Sequence, residues 1–234
     1  MAWARVQGGT FNNPTGSTTA AVTISAIGSG NGICGLIGFD GTSVTINSVA
    51  DDQGNTYNVE TIVRDAGGPT SACAFSRTNI TNAPTTITVT FSASIGFRKL
   101  LVDEFSGGST ASTDERDGAA HGGQLQSSPG TGTDAITSGT FTTSNDGDLL
   151  WGGCIGPNST TNPTAGTSFS NGAAETTDYS GKTEYRVQAT AGSGTAATFT
   201  QAANTDRMTF LIALKPAGGA APTTPKSTLM MMGV

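Results

Sequence analysis

The chain contains one histidine, His121, and a hydrolase working through a serine or cysteine nucleophile needs a base of that kind beside it. His121 lies in AAHGGQLQSSPG, which reads as a Gly-rich loop with nothing to fix the ring. No G-x-S-x-G elbow is present. Paired carboxylates are the other route to hydrolysis, because two acids flanking one bond can share proton transfer. Asp103 and Glu104 are adjacent in an apolar run, so in a strand they point to opposite faces and cannot flank one bond. Asp51-Asp52, Asp114-Glu115 with Asp117, and Asp146 with Asp148 fall in turn-rich segments, where acids are normally solvated. DDQGN (51–55) and NDGD (145–148) offer hard oxygen ligands around a glycine, the chemistry of calcium, but neither has the twelve-residue EF-hand spacing. GKT at 181–183 lacks the upstream glycine of a phosphate loop.

Cys34, Cys73 and Cys154 are odd in number and widely spaced, so they read as small buried hydrophobes, not as disulfides or zinc ligands. Aromatics form 6% of the chain. Most fall on core-facing positions; Trp3 and Tyr179 are the candidates for exposed sugar-stacking platforms, and Trp3 equally suits stapling an N-terminal strand. The expectation is therefore no catalytic residue, no metal and no cofactor.

These side chains are carried by short strands. Gly, Thr, Ser, Ala and Asn dominate, charged residues are 12%, and no segment sustains a helical apolar period. Turn signals recur at Asp40-Gly41, Gly54-Asn55, Gly67-Gly68-Pro69, Asn82-Ala83-Pro84, Asp146-Gly147 and Asn171-Gly172. Between them, TITVTF (86–91), TYNVE (56–60) and EYRVQ (184–188) alternate apolar and polar residues, the pattern of a strand with one wet face. Ile33–Phe39, Leu100–Val102 with Phe105, Leu149–Ile155 and Met208–Leu214 are continuously apolar, as strands covered on both faces must be. Roughly a dozen strands result, enough for a two-sheet antiparallel sandwich of jelly-roll or immunoglobulin-like type. The formal net charge of −6 and the scattered basic residues argue against nucleic-acid or membrane partners. MAWARVQGGT lacks a basic segment followed by an apolar core, so synthesis and folding are expected in a host cytoplasm without a signal peptide.

The order of segments repeats. AVTISAIGSGNGICGLIGFD (20–40), CAFSRTNITNAPTTITVTFSAS (73–94) and FRKLLVDEFSG (97–107) are followed by TFTTSNDGDLLWGGCIG (140–156), TEYRVQATAGSGTAATFTQAA (183–203) and DRMTFLIALKP (206–216). Both halves close on an apolar strand opened by an arginine, Arg98 or Arg207. The expected organisation is a single sandwich over 1–216, with half-repeats at 20–107 and 137–216 contributing to one core and a connector at 107–136. Residues 217–234 read as a polyproline-like linker and an apolar tail, with Leu229, Met230, Met231, Met232 and Val234 as candidate partner-docking residues.

DDQGNTYNVE (51–60), TTITVTFSAS (85–94), LLVDEFSG (100–107), GDLLWGGC (147–154) and DRMTFLIALKP (206–216) together resemble a group of uncharacterised β-sandwich proteins of tailed-phage structural modules and bacterial surface proteins. Phe105 stands where that group usually has tyrosine, and Asp103 stands among usually apolar positions. The resemblance implies a sandwich without catalytic machinery. It further implies a phage virion component, foremost a head decoration (cement) protein. The expected partners are the major capsid protein and further copies of itself, as in a trimer. A receptor- or glycan-binding module of a tail or fibre is the alternative.

Overall fold

The computed structural model describes residues 2–65, 67–126, 132–156, 162–175, 180–201 and 206–218, for 132–135 the backbone alone. The linker from residue 219, the docking residues Leu229, Met230, Met231, Met232 and Val234, and Tyr179 lie outside the described residues. The chain is all-β and antiparallel, and no helix occurs among the described residues.

The strands of the first half are β1 (Ala4–Asn13), β2 (Ser17–Thr23), β3 (Gly32–Asp40), β4 (Ile46–Asp51), β5 (Asn58–Val59), β6 (Val63–Arg64), β7 (Thr70–Arg77), β8 (Thr86–Ile95) and β9 (Arg98–Ser106). They form a large sheet in the order β1-β9-β3-β7-β5, with β6 also on β7, and a small sheet β2-β8-β4. The second half has β10 (Arg116–Gln126), β11 (Gly132–Thr137), β12 (Leu149–Ile155), β13 (Thr164–Ala165), β14 (Ser170–Glu175), β15 (Gly181–Val187), β16 (Thr198–Gln201) and β17 (Arg207–Leu214). Its sheets run β10-β17-β12-β15-β14 and β11-β16-β13. The second half repeats the first, with β14 in the place that β5 and β6 share.

The repeat differs from the sequence expectation in two ways. Its limits are wider, because β1 opens the first half and β10 opens the second inside the expected connector. Both are edge strands, ARVQGGTFNN and RDGAAHGGQLQ, whose glycines and polar residues hide the alternation that marks a strand. The halves also do not share a single core. Each closes its own sandwich around its own apolar cluster. The first cluster holds Val22, Ile37, Phe39, Phe75, Ile87, Val89 and Val102, and the second Ile136, Leu150, Cys154, Phe199 and Leu211.

The two large sheets then pack back to back around a third cluster, drawn from both halves. Trp3, Cys34, Leu36, Ala74 and Phe105 meet Leu149, Trp151, Ile155, Phe210 and Ile212 there. The result is four layers, small-large-large-small. Double burial of the large sheets explains why β3, β9, β12 and β17 carry continuous apolar runs. Burial of these side chains on both faces supplies most of the driving force, at about 25 cal/mol per Å2 of apolar surface.

The contacts between halves follow a pseudo-twofold relation: β3 faces its own counterpart β12, β9 faces β15 as β17 faces β7, and β1 faces β14 as β10 faces β6. Where equivalent positions meet, large is set against small. A Cβ on Gly38 would lie 2.3 Å from Ile155 Cδ1, and one on Gly153 would lie 3.3 Å from Leu36 Cδ2. The strand registers make Gly38 the counterpart of Ile155, and Leu36 that of Gly153.

This complementarity predicts coupled substitutions. Gly38→Val should destabilise by about 1–3 kcal/mol through overpacking, and Ile155→Ala by about 2–5 kcal/mol through a cavity. In denaturant unfolding, the double variant should be more stable than the sum of the singles implies, by about 1 kcal/mol or more. Strict additivity would show that the two positions do not pack on each other.

Candidate functional site

His121 does not sit in a loop. It lies in β10 beside an irregularity of the β10–β17 ladder, and Glu60, in the segment between β5 and β6, fixes its ring. His121 Nδ1 lies 2.8 Å from Glu60 Oε2, and Arg116 donates to Glu60 Oε1 at 2.7 Å. Arg116 also grips Asp114 with two donors, each at 2.7 Å. These bonds hold the Arg116 guanidinium well above its ordinary range and the Asp114 carboxyl below its own. A carboxylate-oriented histidine is two-thirds of a nucleophilic triad. Among the described residues no hydroxyl or thiol hydrogen-bonds to the ring, whose Nδ1 is taken by Glu60. What the cluster does is join the first half, through Glu60, to the edge strand of the second.

Asp103 does the same near the opposite edge of the interface. It is fully buried and points from β9 into the second half. Arg5 donates to its Oδ1 at 2.7 Å, the Trp151 indole N–H to its Oδ2 at 2.9 Å, and the Ala173 amide to Oδ1 at 3.0 Å, with the Thr183 hydroxyl completing the shell. A carboxylate satisfied in this way can be buried at tolerable cost. Glu104 turns to the other face, where it accepts from the Gly28 amide at 2.8 Å and Asn31 Nδ2 at 2.6 Å. The two adjacent acids thus serve different layers and cannot act on one bond.

The acidic turns are also committed internally. Asp51 accepts from the Gln53 and Asn55 amides, from Asn55 Nδ2 and from the Tyr57 hydroxyl. These bonds make DDQGNTY (51–57) one folded unit. Asp52 binds the Thr85 amide and hydroxyl at 2.9 and 3.0 Å, and these bonds hold its carboxyl below the usual range. Among the described residues no group of three or more His, Cys, Asp or Glu is arranged to hold a metal. Trp3 is buried in the interface cluster with its ring over Gly108, so it is a staple and not an exposed sugar platform. The three cysteines are free and buried, and burial pushes their thiols up, to about 11 for Cys154.

Sequence inspection missed Glu184. It occupies the position in β15 that Phe75 holds in β7, facing the core of its own sandwich. Its carboxylate accepts from the Gly166 and Thr198 amides at 2.7 and 2.9 Å, while burial pushes its pKa up to about 7. The buried arginines that open the closing strands play a comparable part. Arg98 donates to the Thr15 and Thr19 carbonyls, and Arg207 donates to Gln201 Oε1 at 2.6 Å and Ser180 Oγ at 2.7 Å. No protein-family model matches the chain, and no curated protein matches it in sequence.

Two outcomes follow for the side chains of this interior. Asp103→Ala leaves the Trp151, Thr183 and Ala173 donors unsatisfied and removes the partner of Arg5. It should cost about 3–5 kcal/mol in denaturant unfolding, and a loss below about 1 kcal/mol would show that the shell is dispensable. Glu184 has a folded pKa above its unfolded value, so the folded state binds the extra proton. Stability is fully present below about pH 4.5 and is lost as pH rises to about 7. Glu184→Gln should remove that slope, worth at most about 3 kcal/mol. A wild-type and variant with parallel stability–pH curves would contradict the assignment.

Proposed function

We propose that this chain is a structural, protein-binding component of a phage virion, foremost a head decoration protein that stabilises the capsid through contacts with the major capsid protein. The carrying observation is that the side chains able to do chemistry, His121, Glu60, Asp103 and Asp51, are engaged in holding turns and the two sandwiches together. A double sandwich locked by buried polar bonds is a stiff block, suited to bridging neighbouring subunits. The sequence resemblance to phage structural modules supplies the setting. In this reading the linker and the apolar residues Leu229 to Val234 form an arm that engages a neighbouring subunit and raises residence through tethering.

Quantitative protein composition of purified particles tests the proposal. The expected result is a copy number on the scale of the capsid subunits, with occupancy reduced when Leu229–Val234 are deleted and the sandwich remains folded. Absence from the particle, or confinement to the tail tip, would overturn it. Full occupancy without the tail would remove the arm from the account.

A further inference from the structure

One buried group takes no part in the contacts between the halves. Asp148 immediately precedes β12 and is fully buried. Both its carboxyl oxygens are sealed from solvent and meet no N–H or hydroxyl donor. Its neighbour at hydrogen-bonding range is the carboxyl of Asp117 on β10. Asp117, by contrast, is well supplied with donors: the Ser144 amide, the Ser144 hydroxyl, and Asn145 Nδ2 at 2.7 Å. Two buried carboxylates in contact repel strongly unless one is neutral, and the distribution of donors decides which one. The donors favour Asp117 as the anion and leave Asp148 as the group able to hold a proton.

We propose that Asp117 and Asp148 share one proton and form a pH-operated latch that fastens the 144–148 turn to β10. The other charged groups facing Asp148 are Asp146 within the turn, which adds to the repulsion, and Lys215 beyond β17, which opposes it. Burial first, and the Asp117 carboxyl second, push the Asp148 pKa up to about 8. For Asp117, burial acts upward but the Ser144 and Asn145 donors outweigh it and hold the carboxyl low.

Beyond the latch, the Ala191 amide donates to Asp146 Oδ1 at 2.7 Å, the Gly147 amide to the Gln188 carbonyl at 2.8 Å, and the Gln188 amide to the Asp148 carbonyl at 2.8 Å. Losing the shared proton places two negative charges side by side in the interior. Releasing the turn into water is the direct relief. The latch also lies one residue from Arg116, whose guanidinium holds Glu60 of the first half. Opening it therefore removes the brace beside that clip, while β10 stays paired to β17. The sign is that of an acid whose folded pKa is raised. Its stabilisation is complete below about pH 4 and is lost as pH rises through about 8.

The test uses the full chain labelled with 13C at aspartate side-chain carboxyls, together with amide hydrogen exchange across 144–148. One aspartate should titrate near 8, and its signal should be absent from Asp148→Asn. Above that transition, exchange at Ser144 and Gly147, corrected for base catalysis, should rise by about tenfold or more. In Asp148→Asn the amide donates to Asp117 without titrating, so exchange should stay flat. The wild-type titration decides alone if that variant does not fold. The latch is overturned if every aspartate titrates below neutrality, or if the turn exchanges identically on both sides of the transition.

Discussion

Each large sheet of this protein is covered on both faces, by its own small sheet on one side and by the other large sheet on the other. Most other features follow from that double burial. It requires apolar residues at successive positions of β3, β9, β12 and β17, glycines where the sheets approach most closely, and hydrogen-bond donors for a carboxylate buried between them. Asp103 meets the last requirement with donors from both halves. Its bonds have defined directions, unlike apolar contact, so they fix how one large sheet is turned on the other.

The interface behaves as a homodimer interface made within one chain. A twofold pairing of identical sandwiches would set each equivalent residue against itself, giving isoleucine on isoleucine at one position and glycine on glycine at another. Here Gly38 faces Ile155 and Leu36 faces Gly153. The halves differ as knob and hole, so each fits the other better than it would fit a copy of itself. A like difference sets Glu184 where the first half has Phe75. The second core, smaller and more polar, is braced by hydrogen bonds where the first is filled by an aromatic ring.

Much of this was legible in the sequence. TITVTF declared its wet face, the continuous runs declared strands covered twice, and the arginines at 98 and 207 marked the equivalent closing strands. What stayed hidden has physical causes. β1 and β10 are edge strands whose glycines let neighbouring side chains pass over them, which erases the alternation that identifies strands. His121 read as a loop residue, and Trp3 as either a surface platform or a staple, because the partners that fix or bury them, Glu60 and Gly108, are distant in sequence. A second sandwich could not be told from a second contribution to one sandwich, because a doubly covered strand has the same composition in either arrangement. The docking residues at the C-terminal end lie outside the described residues, and they enter the account through the sequence alone.

Native-state hydrogen exchange with increasing denaturant tests most directly the claim that the two sandwiches are locked into one unit. Amides of β3 and β12, which face each other across the interface, should converge on one opening free energy and one denaturant dependence, that of global unfolding. Separate convergence, with one sandwich opening at lower free energy while the other stays protected, would contradict the account. It would reduce the Asp103 and Glu60 clusters to local contacts between independent domains.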